Sequence, residues 1–438
     1  MARAKKEAAL TPEERLQAAL VPDWEWPYKL PENWCWLKLV ESFDNHTDSK
    51  KKIKQKDYLV KGKLAVVDQG QELIGGYTND VEKSYSGALP IVIFGDHTRC
   101  IKFVDFPFAQ GADGVKVLRP KPFYLPKAFY YALQSVNIPN LGYRRHFPLF
   151  NKFSIPLPPF TEQQRIVDRI ESLFTKLDEA KEKAQAVMDS FETRKAAILH
   201  KAFTGELTAK WREEHGVGME SWHLRTIGEV CENVKVGIVI KPSQYYVPQN
   251  EGTPAFRSAN VRECRIDDFD WVYLNEKGMK DNSRSIVHTG DVLVVRSGNP
   301  GTACVVPERF DGYNAIDILI AVPNKKIIIS DYLCYYTNSP LGKKTVEIGK
   351  RGIALTHFNV KGFSQMPINI PTIPEQVVIV RTLGDLFAQE QQSKEAAEAV
   401  LDQIDLMKKS ILARAFRGEL GTNDPSEESA VELLKRVL

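Results

Sequence analysis

The chain has 438 residues, 43% of them hydrophobic and 26% charged, with a net charge of +3. That length exceeds one ordinary domain and leaves room for two or three, each with its own core. The composition is that of an ordinary globular protein, the near-neutral charge argues only weakly for a polyanion partner, and no apolar run approaches the ~18 residues of a membrane span.

Residues 1–22 scatter charges among alanine and leucine and contain no apolar core of the kind a secretory signal needs. They read as a short solvated helical extension. Residues 23–158 read as an α/β domain, with Val/Ile-rich strands at 89–94 (LPIVIF) and 115–118 and a short helix at 127–135. Residues 159–210 hold a long helix over about 161–204, which would span roughly 65 Å at ~1.5 Å per residue. Thr161 can cap its first turn and Gly205 can stop it. Residues 211–372 read as a second α/β domain, with strands at 291–295, 304–306, 317–322 and 326–329 and a helix at 331–338. Residues 373–421 hold the second long helix, with Pro374 in its first turn and Gly418 past its end, and 422–438 form a tail. The aromatics Trp24, Trp26, Trp34, Trp36, Tyr245, Tyr246 and Trp271 fit either core or stacking surface; core is the commoner fate, so none is assigned a nucleic-acid role.

The two long helices are copies of each other. EQQRIVDRIESLF at 162–174 matches EQVVIVRTLGDLF at 375–387, and ILHKAFTGEL at 198–207 matches ILARAFRGEL at 411–420. Every match has the same offset of 213 residues. Upstream, the resemblance shrinks to His146–Phe147 against His357–Phe358, and Glu32-Asn-Trp34 against Glu220-Ser-Trp222. The layout is therefore variable–helix–variable–helix.

Each helix carries a heptad seam. In the first copy it runs through Ile166, Ile170, Leu173, Leu177, Ala180, Ala184, Val187 and Phe191. In the second it runs through Ile379, Leu383, Leu386, Ala397, Val400, Ile404, Met407 and Ile411, with polar interruptions at Glu390 and Ser393. A seam of that length needs a partner; the economical one is the other copy, packed antiparallel, and the alternative is that both helices dock into other subunits.

Catalytic signatures do not stand out. The six cysteines form no C-x-x-C pair and the eight histidines no metal-ligand spacing, which reads as reduced thiols in a cytoplasmic, metal-free chain. There is no G-x-x-x-x-G-K-[ST] loop and no glycine-rich turn suited to a nucleotide cofactor. Pro158–Pro159–Phe160 looks like the end of an amino-methyltransferase Asn-Pro-Pro-aromatic motif, but Leu157 stands where that chemistry needs an Asn amide. Two basic runs remain: seven lysines within 50–63, and Lys343, Lys344, Lys350 and Arg351 within nine residues. One run in each variable domain favours phosphate contacts over an incidental solvated face.

Taken together, the lead-ins PLPPFTEQQRIV (156–167) and PTIPEQVVIV (371–380), the helix ends AFTGEL (202–207) and AFRGEL (415–420), and the turns PIVIFGDHT (90–98), FRSANV (256–261) and GDVLVVRSGNPG (290–301) make the chain resemble the specificity subunits of type I restriction–modification enzymes. The resemblance spans about Trp24 to Leu420. It implies an α+β fold: two α/β target recognition domains in a pseudo-twofold arrangement, separated by an antiparallel coiled coil of two long helices. It also implies a non-catalytic subunit that reads a bipartite double-stranded DNA site and binds two methyltransferase subunits, with restriction subunits joining them. No cofactor is expected in this chain; S-adenosylmethionine, ATP and magnesium would belong to the partners.

The family motifs do not say which residues touch DNA, so candidates rest on chemistry. Lys51, Lys52, Lys54 and Lys56 are assigned to phosphates, and Arg144 and Arg145 to base edges. In the second domain Lys343, Lys344, Lys350 and Arg351 are assigned to phosphates, with Arg257, Asn260, Arg296 and Asn299 in polar turns, because Arg pairs with guanine and Asn with adenine. The competing reading of the same features is a coiled-coil scaffold that assembles partners without DNA.

Overall fold

The computed structural model of the chain describes residues 11–351 and 358–437, of which 347–351 are described by their backbone alone. The chain divides into two compact units, Met1–Ala184 with Ala399–Leu438, and Gln185–Glu398. Each unit contains one α/β domain, half of the first long helix (Phe160–Phe203) and half of the second (Ile373–Ala415).

In the first unit a four-stranded antiparallel sheet runs in the order Phe43–Asn45, Val115–Pro120, Ile91–Gly95, Ile101–Val104. Beside it lies a three-stranded sheet in the order Gly76–Thr78, Leu64–Val67, Phe108–Gln110, its last pair parallel. A ribbon of Cys35–Lys38 against Ser154–Leu157 closes the domain just before the long helix. The second unit repeats this plan. Its four-stranded sheet is Cys231–Val236, Ile318–Pro323, Val292–Val295, Ala303–Val305. Its second sheet pairs Val272–Leu274 with Thr253–Phe256, and Thr253–Phe256 with Asn314–Ala315, again parallel at the last pair. Its closing ribbon is His223–Thr226 against Pro367–Ile370.

This layering explains why the central strands read as unbroken apolar runs. Val92 and Phe94 face a core shared with Phe129 and Phe150, while Ile91 and Ile93 face one shared with Val67 and Phe108. In the second domain Val292 and Val294 face one core and Leu293 and Val295 another. A strand covered on both faces has no polar side to alternate with. One expected strand is absent: 326–329 is a turn. The Asn324 side chain accepts from Lys326 N (3.1 Å), its carbonyl accepts from Ile327 N and Ile328 N (2.8 and 2.9 Å), and Ile329 N donates to Gln376. With those N–H groups consumed locally, none is left for a ladder; Ile328 and Ile329 pack into the core instead, while Ile327 stays exposed.

A buried glutamate anchors each domain to its helix. Glu162 accepts from Trp34 Nε1 (2.7 Å), Asn423 Nδ2 (2.9 Å) and Thr422 Oγ1 (3.0 Å). Glu375 accepts from Trp222 Nε1 (3.0 Å), Thr208 Oγ1 (2.6 Å) and Arg212 Nη1 (2.6 Å). The neighbouring glutamines close the joint in matching fashion. Gln163 donates to Phe123 O and Pro158 O and accepts from Leu125 N, and Gln376 donates to Ile327 O and Pro371 O and accepts from Ile329 N. The conserved-looking E-Q pairs of the repeat are thus joints rather than surface residues.

Within each unit the helix halves run antiparallel. In the first, Ile166 and Ile170 share a core with Leu412 and Phe416, and Asp178 pairs with Lys408 (2.5 Å). In the second, Leu199 and Phe203 share a core with Ile379 and Leu383, and Arg194 pairs with Glu390 (2.7 Å). The seam of the second helix differs from the expected one. Val400 and Met407 are 40% and 45% exposed, and Ser393 is exposed, while Lys394, Leu401 and Lys408 are half-buried. The seam takes its steps of four and three in the opposite order, which brings lysines inward. Their stems are buried and their ammonium groups sit over rings, Lys394 over Phe191 (5.0 Å) and Lys408 over Phe174 (5.1 Å).

The helix ends also differ in detail. The first long helix starts at Phe160, with Pro159 O accepting from Gln163 N (3.1 Å), so Thr161 lies inside the first turn instead of capping it. Gly205 and Gly418 follow their helices at φ +84° and +75°, as a left-handed stop requires. The described part of the N-terminal extension forms a helix, Pro12–Ala19, that is not fully solvated: Leu16 and Ala19 are buried in the first core, near the C-terminal helix Ala430–Val437. Among the described residues no helix is long and apolar enough to cross a membrane, and no three His, Cys, Asp or Glu residues cluster as metal ligands.

Candidate nucleic-acid interface

The shared topology lets equivalent loops be matched where the sequences cannot be. In the first unit the hairpin loop 96–99, the loops at 111–114 and 140–147, and the lysine loop 50–57 are tied together. Asp96 N donates to Gly114 O (2.6 Å), His146 N donates to Asp96 O (2.8 Å), Phe147 N donates to Asp96 Oδ1 (2.8 Å), and Lys52 stands 3.9 Å from Asp113. In the second unit the matching cluster is the hairpin loop 296–302, the 316–318 turn, Phe358, and the loop 237–245. Arg296 Nη1 pairs with Asp317 (2.6 Å), its Nε donates to Phe358 O (3.0 Å), and Asp317 N donates to Ile238 O (3.0 Å).

The first cluster is the more basic. Lys54, Lys56, Arg144 and Arg145 are exposed, and their side chains carry no hydrogen bond or ion pair among the described residues. Next to those arginines Tyr143 is 93% exposed, stacked on His97 with ring centroids 5.6 Å apart. Beneath them His146 is fully buried. Its Nδ1 lies 2.9 Å from Asp96 O, a pure acceptor, and Leu141 N donates to its Nε2 (3.1 Å). That pair of contacts selects the neutral tautomer with the proton on Nδ1, and it braces the loop that presents Tyr143, Arg144 and Arg145. Sequence reading missed His146 and His97 as supports, since both partners are distant in the chain.

Lys51 does different work from its neighbours. Its ammonium donates to Ser84 O (3.0 Å), and in the second domain Lys235 donates to Ile286 O (3.0 Å). Ser84 and Ile286 hold matching positions, each bridged antiparallel to the short parallel strand, at Ala109 and Asn314. Lys51 is therefore a repeated structural clamp more than a phosphate ligand. Lys52 remains half-buried beside Asp113.

The candidates of the second domain do not gather in one place. Asn299 is exposed on the hairpin loop. Arg296 lies on the same loop but is engaged by Asp317 and Phe358. Asn260 is fully buried: its oxygen accepts from Arg257 N (2.9 Å) and its amide donates to Phe269 O (2.8 Å), so it holds its loop and cannot reach a base edge. Arg257 is bound to Asp270 (2.8 Å). A polar turn looks alike in sequence whether its side chains point outward or close on themselves.

Lys343 pairs with Glu263, which also pairs with Lys195 of the first long helix, so it serves the joint between domain and helix. Burial alone would raise the Glu263 carboxyl, yet the two lysines hold it below the usual range. Lys344 is exposed. Lys350 and Arg351 end the helix Pro340–Arg351, and their side chains, like His357, lie outside the described residues. In place of lysines, the loop 237–245 presents Val239 and Ile240, exposed, beside Lys241 at φ +45°. Nothing in the local sequence marks that loop as the counterpart of 50–57; only the sheet order does.

A chain of two like-folded α/β domains, each closed by a ribbon onto a long helix, is a duplicated specificity module. The family described as type I restriction modification DNA specificity domain matches residues 31–187 and 219–400, and the chain belongs to it. Among curated relatives it is 26% identical over 310 residues to the type I restriction enzyme EcoKI specificity subunit of Escherichia coli strain K12, covering 66% of this chain and 64% of that protein. It is 25% identical over 300 residues to the EcoBI specificity subunit of Escherichia coli, covering 65% and 63%. The matched region thus spans just under two thirds of those relatives. Among solved structures, the HsdS subunit from Thermoanaerobacter tengcongensis superposes with a TM-score of 0.59 at 19% identity, over 90% of this chain and 99% of that one. A chain from a structure concerned with complex assembly and conformational transition of the type I restriction–modification system gives 0.61 at 18%, over 90% and 100%. At such identities the likeness establishes the fold, and the residue-level chemistry must come from this chain.

Proposed function

We propose that this chain is the non-catalytic DNA-reading subunit of a type I restriction–modification complex, acting in the cytoplasm on double-stranded DNA. The observation that carries this reading is the pairing of one repeated fold with two chemically different loop clusters. One cluster offers Lys54, Lys56, Arg144 and Arg145, and the other Asn299, Val239 and Ile240. Phosphate contacts position a domain and base contacts choose the sequence. Two modest readers held at fixed separation become one selective reader. The long helices supply that separation and also scaffold two methyltransferase subunits, to which restriction subunits add. S-adenosylmethionine, ATP and magnesium are then used by those partners, this chain contributing position alone.

The test is to co-express the chain with the methyltransferase subunit of its source and map methylated adenines. The expected result is a bipartite asymmetric site with one constant gap. Methylation independent of this chain, or a single contiguous site, would overturn the reading, and a DNA-free scaffold would leave no methylation pattern at all. In the same complex, replacing Lys350 and Arg351 together with Ala should lower affinity and flatten its dependence on salt.

A further inference from the structure

Two cysteines separated by seventy residues meet at the surface of the second domain. Cys264 is an exposed residue at the tip of the hairpin Val261–Arg262/Arg265–Ile266, at φ +55°. Cys334 lies on the helix Ser330–Asn338 and is 2% exposed. Their sulfur atoms are 3.6 Å apart, and the Asn338 side-chain amide donates to both, at 3.4 and 3.6 Å. The pair opens into a cavity of about 310 Å³ that is also lined by Tyr335, Asp331 and the guanidinium-bearing Arg265 and Arg309. That is the lower end of the volume range of small-molecule sites.

We propose that Cys264 and Cys334 form a reactive dithiol that a small disulfide of the glutathione type enters this cavity to oxidise, giving an intramolecular cross-link. In the first step the Cys264 thiolate attacks one sulfur of the small disulfide; the S–S bond breaks and one thiol leaves with a proton from solvent. In the second, Cys334 loses its proton to solvent and attacks the Cys264 sulfur, expelling the second small thiol. Two protein thiols are oxidised and one disulfide is reduced to two thiols. The order follows from the surroundings. The hydrogen bond to Cys264, and then burial, hold the Cys334 proton well above the usual thiol range, so exposed Cys264 attacks and Cys334 resolves.

The cross-link has a mechanical consequence. The residue before Cys264 is Glu263, whose carboxylate binds Lys195 of the first long helix and Lys343. Closing the disulfide staples that hairpin to the helix Ser330–Asn338 and so braces the joint between domain and stalk.

The experiment is to incubate the full chain with oxidised glutathione under native conditions and follow it by peptide mass mapping. The expected sequence is a glutathione adduct on Cys264, then a Cys264–Cys334 cross-link, with slower amide exchange over 261–266. Cys334→Ser should stop at the adduct, and Cys264→Ser should yield neither product. An adduct that never converts in the unsubstituted chain, a cross-link to Cys304 instead, or modification of half-buried Cys100 at the same rate as Cys264 would each overturn the proposal.

Discussion

Glu162 and Glu375 hold the same position in two copies of one motif, yet their surroundings differ in kind. Glu162 is bound by three neutral donors, Trp34, Thr422 and Asn423, whereas Glu375 has a tryptophan, a threonine and the guanidinium of Arg212. In each case the tryptophan belongs to the adjoining domain, and the other donors come from the segment that follows the opposite long helix. Geometry has been kept across the duplication while charge balance has been rebuilt. The same division runs through the loop clusters, where one fold carries lysines in one domain and Val239–Ile240 in the other. Scaffold and chemistry vary independently here, as a module that changes its target without changing its frame requires.

The widest gap between the halves should come from one substitution made twice. Glu375→Gln strands the buried Arg212 guanidinium and should cost the second unit about 3–5 kcal/mol. Glu162→Gln only mismatches neutral donors and should cost the first unit about 1–3 kcal/mol. Hydrogen exchange resolved by unit measures both, and equal losses would erase the distinction. Next in size is the split within the lysine loop. Lys54→Ala with Lys56→Ala should lower the slope of log affinity against log salt by about 1.8, at ~0.9 per phosphate lost. Lys51→Met should leave that slope unchanged and cost about 1 kcal/mol of stability through the lost bond to Ser84. A reduced slope for Lys51→Met would make it a phosphate ligand after all.

Glu263 gives a pH-dependent contrast. Its folded pKa lies below the ordinary 4.5, so its contribution is fully present above that value and is lost as pH falls through the depressed one. The protection of amides at the Lys195–Glu263–Lys343 joint, corrected for their intrinsic exchange rates, should therefore fall in acid, and Glu263→Gln should remove that acid limb while lowering protection at neutral pH. The smallest effect is expected on the stalk: Met407→Ala should change stability by no more than about 0.5 kcal/mol. A loss above ~2 kcal/mol would restore Met407 to the seam.

The sequence discloses the frame far better than the site. An offset of 213 residues, the Val/Ile runs and the glycine stops all depend on local pattern, and the helices and central strands lie where those patterns put them. Trp34 and Trp222 could be seen as an echo, but their bonds to Glu162 and Glu375 span more than a hundred residues and leave no local trace. Asn260 and Arg296 failed as exposed readers for a related reason. Side chains that close a loop on itself have the same composition as side chains that reach out of it. The seam was misread because apolar identity pointed to Val400 and Met407, while the structure buries the stems of Lys394 and Lys408.

Those two inward lysines have a consequence of their own. A stalk greased along its whole length would tolerate slippage by a heptad, because leucine against leucine looks the same in every notch. This one is keyed. Moving either helix by seven residues would take Lys394 off Phe191 and Lys408 off Phe174, and would part Arg194 from Glu390 and Asp178 from Lys408. The register of the paired helices is therefore set by unevenly spaced contacts, and lengthening the pair would require matched insertions in both helices rather than in one.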